Sequence, residues 1–115
     1  MTLEECYNEF GGNYRDVLQR LVKEERVERF IKAFPTEDMI TPIEKKIEEK
    51  DYEQAFLDAH TLKGLCATLG LSRLYKSVSV LVESIRNGEV HSDPLPLLEV
   101  VKADYKLTVD TIAKL

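Results

Sequence analysis

Tryptophan is absent from this 115-residue chain, and cysteine occurs only at Cys6 and Cys66. Two cysteines so far apart make neither a disulfide scaffold nor a metal-binding spacing. Both are expected as free thiols without a redox role, Cys66 as a small apolar residue on a buried helix stripe. Glycine and proline are scarce, five and four residues. There is no glycine-rich phosphate loop, no Walker-type lysine and no nucleophile elbow. No stretch alternates like a strand, so no nucleotide-binding sheet can be built. The expected chain therefore has no ATP site and is not an autokinase. A basic excess is also missing. Sixteen Lys and Arg stand against twenty-one Asp and Glu, a net charge of −5, which argues against broad nucleic-acid binding. No apolar run approaches the roughly 20 residues that span a membrane. The opening MTLEECYNEF has neither a basic region nor the apolar core of a signal peptide. The expected location is the cytoplasm, and a chain starting at Met1 with no kinase segment reads as free-standing.

What is present is helix. Hydrophobic residues make up 43% and charged residues 32%, a balance suited to one helical domain spanning 1–115. The segment Asp51 to Leu74 organises the rest. Asp51 is an N-cap with Gln54 placed to complete a capping box, and Gly70 offers a left-handed stop. Ala55, Ala59, Leu62, Leu65, Cys66 and Leu69 recur at the spacing of a buried stripe. His60 falls close to opposite that stripe. Its outward neighbours are Phe56, Lys63, Gly64 and Ala67, an unusual set for a solvated face. Gly64 costs about 1 kcal/mol against alanine in a helix interior, and it has no turn to make. Something must approach the backbone there.

The flanking segments read as support. Thr2 and Glu5 box a short helix from Leu3 to about Glu9, with Cys6 and Phe10 on its sticky side. Gly11-Gly12 stops it. Asn13 caps a second helix burying Tyr14, Val17, Leu18 and Leu21. Apolar residues then resume on a different face at Val27, Phe30, Ile31 and Phe34, which predicts a break near Val22–Glu25 and a separate helix over 24–34; one long helix is the alternative. Residues 37–40 read as a turn. Thr41-Pro42 predicts a helix start over 42–50, inward at Ile43 and Ile47. Ser72 is read as the cap of a helix over 72–87, and Asp93-Pro94 as the start of one over 93–114 with Leu98, Val101, Tyr105, Thr108 and Ile112 inward. His91 lies in a polar loop and reads as plain surface.

A neutral imidazole is a nucleophile near neutral pH. On a rigid helix, an exposed His60 nitrogen can accept a phosphoryl group from a partner. Lys63 would stabilise the phosphoryl oxygens and disfavour the charged imidazolium. Gly64 would leave clearance. Phe56, Ala59 and Ala67 are the candidate partner-binding residues, Ala59 being assigned to the buried stripe as well.

The run His60-x-Leu62-Lys63-Gly64, followed by Leu69-Gly70 and Leu74, resembles the signature of histidine phosphotransfer (HPt) domains. Helical segments in that family's order cover nearly the whole chain. The resemblance implies an all-α fold, an up-down antiparallel four-helix bundle with short extra N-terminal helices, its first helix drawn from 24–50. It implies phosphorylation of His60 by the aspartate of a receiver domain and return to another receiver. The receivers would belong to response regulators or hybrid histidine kinases. It gives Lys63 the role of phosphoryl stabiliser and Gly64 that of clearance, with no residue matched to orient the other ring nitrogen of His60. The Mg²⁺ such transfers need would sit in the receiver's acidic pocket, so no cofactor or metal is expected on this chain, and the chain is expected to be a monomer.

Two rivals remain open. One is the same bundle used as a docking module for receivers or kinases, never phosphorylated. The other is a metal-binding helical bundle, which would need inward carboxylates and Glu-x-x-His pairs. No Glu-x-x-His occurs here.

Overall fold

A computed structural model describes all of residues 1–115, and it is helical throughout, with no strand. Seven α-helices follow one another: α1 Leu3–Phe10, α2 Tyr14–Leu21, α3 Glu24–Ala33, α4 Ile40–Glu48, α5 Tyr52–Leu69, α6 Ser72–Ser84 and α7 Pro94–Ile112. Short 3₁₀ turns at Phe34–Thr36 and Arg86–Gly88 separate α3 from α4 and α6 from α7. Helices α4 to α7 form the bundle. Each packs on the next, and α7 returns against α4. Helix α3 continues the first arm and leans on α5. One apolar core runs from Cys6 and Tyr7 through Leu62, Cys66 and Leu81 to Ile112.

The local chemistry explains where each helix begins. Thr2 and Glu5 form the full capping box, with bonds of 3.1 and 2.9 Å. Asn13 accepts from Asp16 N (3.0 Å), Asp51 from Gln54 N (3.2 Å) and Asp93 from Leu95 N (3.1 Å). The break between α2 and α3 is real. Val22 has φ 74°, and Lys23 N donates back to Leu21 O at 2.9 Å. That is the rare γ-turn of positive φ, a strained conformation for a β-branched residue.

Several expectations are corrected. The fourth helix begins at Ile40 rather than 42, because Asp38, not Thr41, supplies the cap. Its carboxylate accepts from Ile40 N (2.9 Å), from Thr41 N (3.1 Å) and from the Thr41 hydroxyl. Pro42 is tolerated because it lies in the first turn, where no N–H is required. Gln54 does not complete a box. Its amide donates to Asp58 instead (2.9 Å). Ser72 is the first residue of α6, not its cap, and Leu71 precedes it with no side-chain cap bond. Helix α6 ends at Ser84, since Ile85 leaves the helical region (φ −124°, ψ 26°), and Asn87 beyond it is left-handed (φ 59°). Only Val17 of the α2 set is fully buried; Tyr14, Leu18 and Leu21 are half-buried because α2 packs at one end of the bundle. Leu65 and Tyr105 are half-buried too. Phe30, read as inward, is 44% exposed and lines a shallow groove with Leu65 and Leu69.

The N-terminal helices secure the end of α5. Gly70 closes α5 in the left-handed region at φ 68°. A Cβ there would come within 2.9 Å of Asn13 O. Asn13 N donates to Gly70 O (2.9 Å), and the buried Tyr7 hydroxyl donates to Leu69 O (2.7 Å).

Candidate functional site

Helix α5 turns its stripe of Ala55, Ala59, Leu62, Cys66 and Leu69 into the core. Geometry at roughly 100° per residue then sends His60, Gly64 and Ala67 outward, and all three are exposed. Phe56 and Lys63 flank them, half-buried. The His60 ring lies 5.9 Å from the Phe56 ring, tilted by 33°. No hydrogen bond engages either ring nitrogen. The nearby hydroxyls fold back on their own helix instead: Thr61 donates to Leu57 O (3.0 Å) and Thr68 to Gly64 O (3.1 Å). The imidazole is therefore presented to the outside with no polar neighbour competing for it.

Gly64 is the most informative position. A Cβ built there meets nothing within 4 Å. The molecule itself gives no packing reason for the missing side chain, so the helical cost of the glycine is uncompensated from within. The space over Gly64, beside His60, is open to an incoming group.

Electrostatics favour an anion at this face despite the net charge of −5. The Lys63 ammonium has no carboxylate partner; it stands 5.7 Å from the centroid of the Tyr75 ring on α6. At the end of α5, the Arg20 guanidinium donates to Ala67 O (2.9 Å) and Thr68 O (3.2 Å) and is held by Asp16 at 2.9 Å. A cation at a helix C-terminus satisfies the last carbonyls and complements the dipole. Beneath the face, burial pushes the Cys66 thiol up to about 12, so it contributes no nucleophile. No group of three or more His, Cys, Asp or Glu side chains converges anywhere.

The structure brings His60, Lys63, Gly64, Phe56 and Ala67 onto one face. It removes Ala59 from that face. Ala59 is fully buried on the core stripe and cannot touch a partner. Leu57 and Arg20 went unnoticed in the sequence, and Tyr75, read as widening the inward stripe of Leu74, Val78, Leu81 and Ile85, is instead 36% exposed because it lies at the edge of that stripe. Leu57 is 50% exposed, and its apolar character three residues before His60, off the stripe, was a usable signal. Arg20 and Tyr75 reach the face from other helices, and no spacing within one segment reveals that. His91 is exposed, its Nε2 3.2 Å from Arg86 O, and it serves the end of α6 rather than the His60 face. No helix is long and apolar enough to cross a membrane.

A family model described as Hpt domain matches residues 15–107. The matched span holds α3 to α6, nearly all of α2 and most of α7, and it leaves α1 and the last turn of α7 outside. No curated protein and no solved structure matches the chain.

Proposed function

The chain belongs to the Hpt domain family, the histidine phosphotransfer modules of two-component phosphorelays, and from that premise we propose that His60 is the residue that carries the phosphoryl group. The observation that supports this is the open space over Gly64, bordered by an exposed imidazole and a lysine with no carboxylate partner. The whole of residues 1–115 acts as one unit in this reading. It takes the group from a receiver domain and passes it to another, without an ATP site of its own.

The step is a displacement at phosphorus. A ring nitrogen of neutral His60 attacks the receiver's aspartyl phosphate. The N–P bond forms as the P–O bond to the carboxylate breaks, and the carboxylate leaves with the electron pair. The ring is cationic until the proton on its other nitrogen departs. Return to a second receiver reverses each change. Lys63 offsets charge on the equatorial oxygens. Phe56, Leu57 and Ala67 make the apolar border on which the receiver rests. The Mg²⁺ for the step is held by the receiver's acidic pocket, so this chain supplies no metal ligand.

Incubation of the chain with phosphorylated receiver domains tests the reading. Label that is lost in acid and kept in base on this chain is the expected result. Receivers that bind but leave no label would instead make this a docking module.

A further inference from the structure

Helical lysines are commonly held by a carboxylate one turn away. Lys63 is denied one: its neighbours at three and four residues are Ala59, His60, Cys66 and Ala67. It takes no part in the ion pairs that occupy Lys32, Lys46, Lys102, Lys106 and Lys114. What its ammonium meets is an aromatic face. Nζ lies 5.7 Å from the centroid of the Tyr75 ring, within the reach of cation–π attraction. The ring comes from α6, a different helix, and Tyr75 is 36% exposed at the edge of the His60 face. Tyr75 makes its hydrogen bonds through its backbone: its N donates to Leu71 O at 2.8 Å, and its carbonyl accepts from the Ser79 hydroxyl at 2.7 Å. The phenol oxygen is not used, so the ring face is the operative part.

We propose that Tyr75 is a positioning residue for phosphoryl transfer: its ring fixes the Lys63 ammonium beside His60 without neutralising it. The inference rests on the reading of His60 as the phosphorylated residue. The choice of a ring has a chemical reason. A carboxylate would also hold the lysine, but it would cancel the charge and repel the phosphoryl oxygens. The ring quadrupole attracts the cation and leaves its full charge available. It also limits the rotamers of a long side chain, whose ordering otherwise opposes the transition state. Phe56 stands against the His60 ring in a parallel way, at 5.9 Å. Each member of the reactive pair is thus braced by an aromatic rather than by a polar group.

Single-turnover transfer from a phosphorylated receiver, at rising receiver concentration, tests this. The proteins are the wild type, Tyr75→Phe, Tyr75→Leu, Lys63→Met and the Tyr75→Leu/Lys63→Met double variant, each checked for native helix content by circular dichroism. Tyr75→Met replaces Tyr75→Leu if the leucine variant does not fold. Tyr75→Leu should lower the maximal rate about two- to five-fold, the size of an exposed cation–π contact, with the half-saturating receiver concentration unchanged. Tyr75→Phe should transfer like the wild type, and Tyr75→Leu should cost nothing further once Lys63 is methionine. An equal slowing in the Lys63→Met background would overturn the inference. So would a rise in the half-saturating concentration at constant maximal rate, or a Tyr75→Phe variant as slow as leucine. A wild type that takes no label overturns the phosphotransfer reading itself. A labelled wild type matched in rate by Tyr75→Leu overturns only the role of Tyr75.

Discussion

A methyl group added at Gly64 would meet nothing within 4 Å, so Gly64→Ala should stabilise the fold by about 1 kcal/mol, the helix-interior difference between the two residues. The same methyl stands in the space proposed for the phosphoryl group and its donor. Chemical denaturation should therefore show a more stable protein, while transfer assays show a slower one. Stability and transfer falling together would mean that Gly64 answers to internal packing after all. The three residues at the centre of this argument were legible in the sequence because they share one helix. His60, Lys63 and Gly64 sit three and four residues apart, and periodicity alone sets their common face. Tyr75 and Arg20 were not legible. Their part depends on how α6 and α2 dock on α5, and nothing in either segment's own pattern records that. Ala59 was read both as a buried-stripe residue and as a partner contact, and only the first holds, because the helical rotation from His60 puts it in the core.

Helix ends show which local signals suffice. Thr2, Asn13, Asp51 and Asp93 cap as read, since an N-cap side chain needs only the amides two or three residues on. The start of α4 was misplaced, and at α6 the start at Ser72 holds but its role as cap does not. At α4 the Asp38 carboxylate takes the Ile40 and Thr41 amides, a local cap that Thr41-Pro42 masked, and at α6 the buried Leu71 precedes Ser72 with no side-chain cap. The break between α2 and α3 was predicted from the change of apolar face, but its form was not. Val22 takes a γ-turn at φ 74° while its side chain is 71% exposed. Val22→Gly removes strain and loses no packing, so it should raise stability by about 1 kcal/mol in denaturant titration; a loss would show that the turn is not strained. Tyr7→Phe works the other way. It leaves the Leu69 carbonyl at the end of α5 without its 2.7 Å donor, and should cost about 1–2 kcal/mol. An unchanged denaturation midpoint would show that α1 is not pinned through this bond.

The molecule as a whole closes one core around α5, and buried acids that must stay protonated make that core sensitive to base. Burial pushes the Cys66 thiol up to about 12 and lifts the Tyr7 phenol above its usual range. In the unfolded chain these groups titrate at about 8.5 and 10. The folded state binds their protons more tightly, so this stability is complete below the unfolded values and is lost as pH rises through them toward the folded ones. Melting temperature should fall steadily from about pH 9 upward, and a flat profile would contradict the burial. On the functional side, the chain contains only two histidines, His60 and His91, and they make the most direct test. Phosphoryl transfer from the same phosphorylated receivers should be measured on the wild type, His60→Gln and His91→Gln together. The account predicts acid-labile label on the wild type and on His91→Gln, and none on His60→Gln. Label that survives in His60→Gln, or that disappears in a folded His91→Gln, would contradict it.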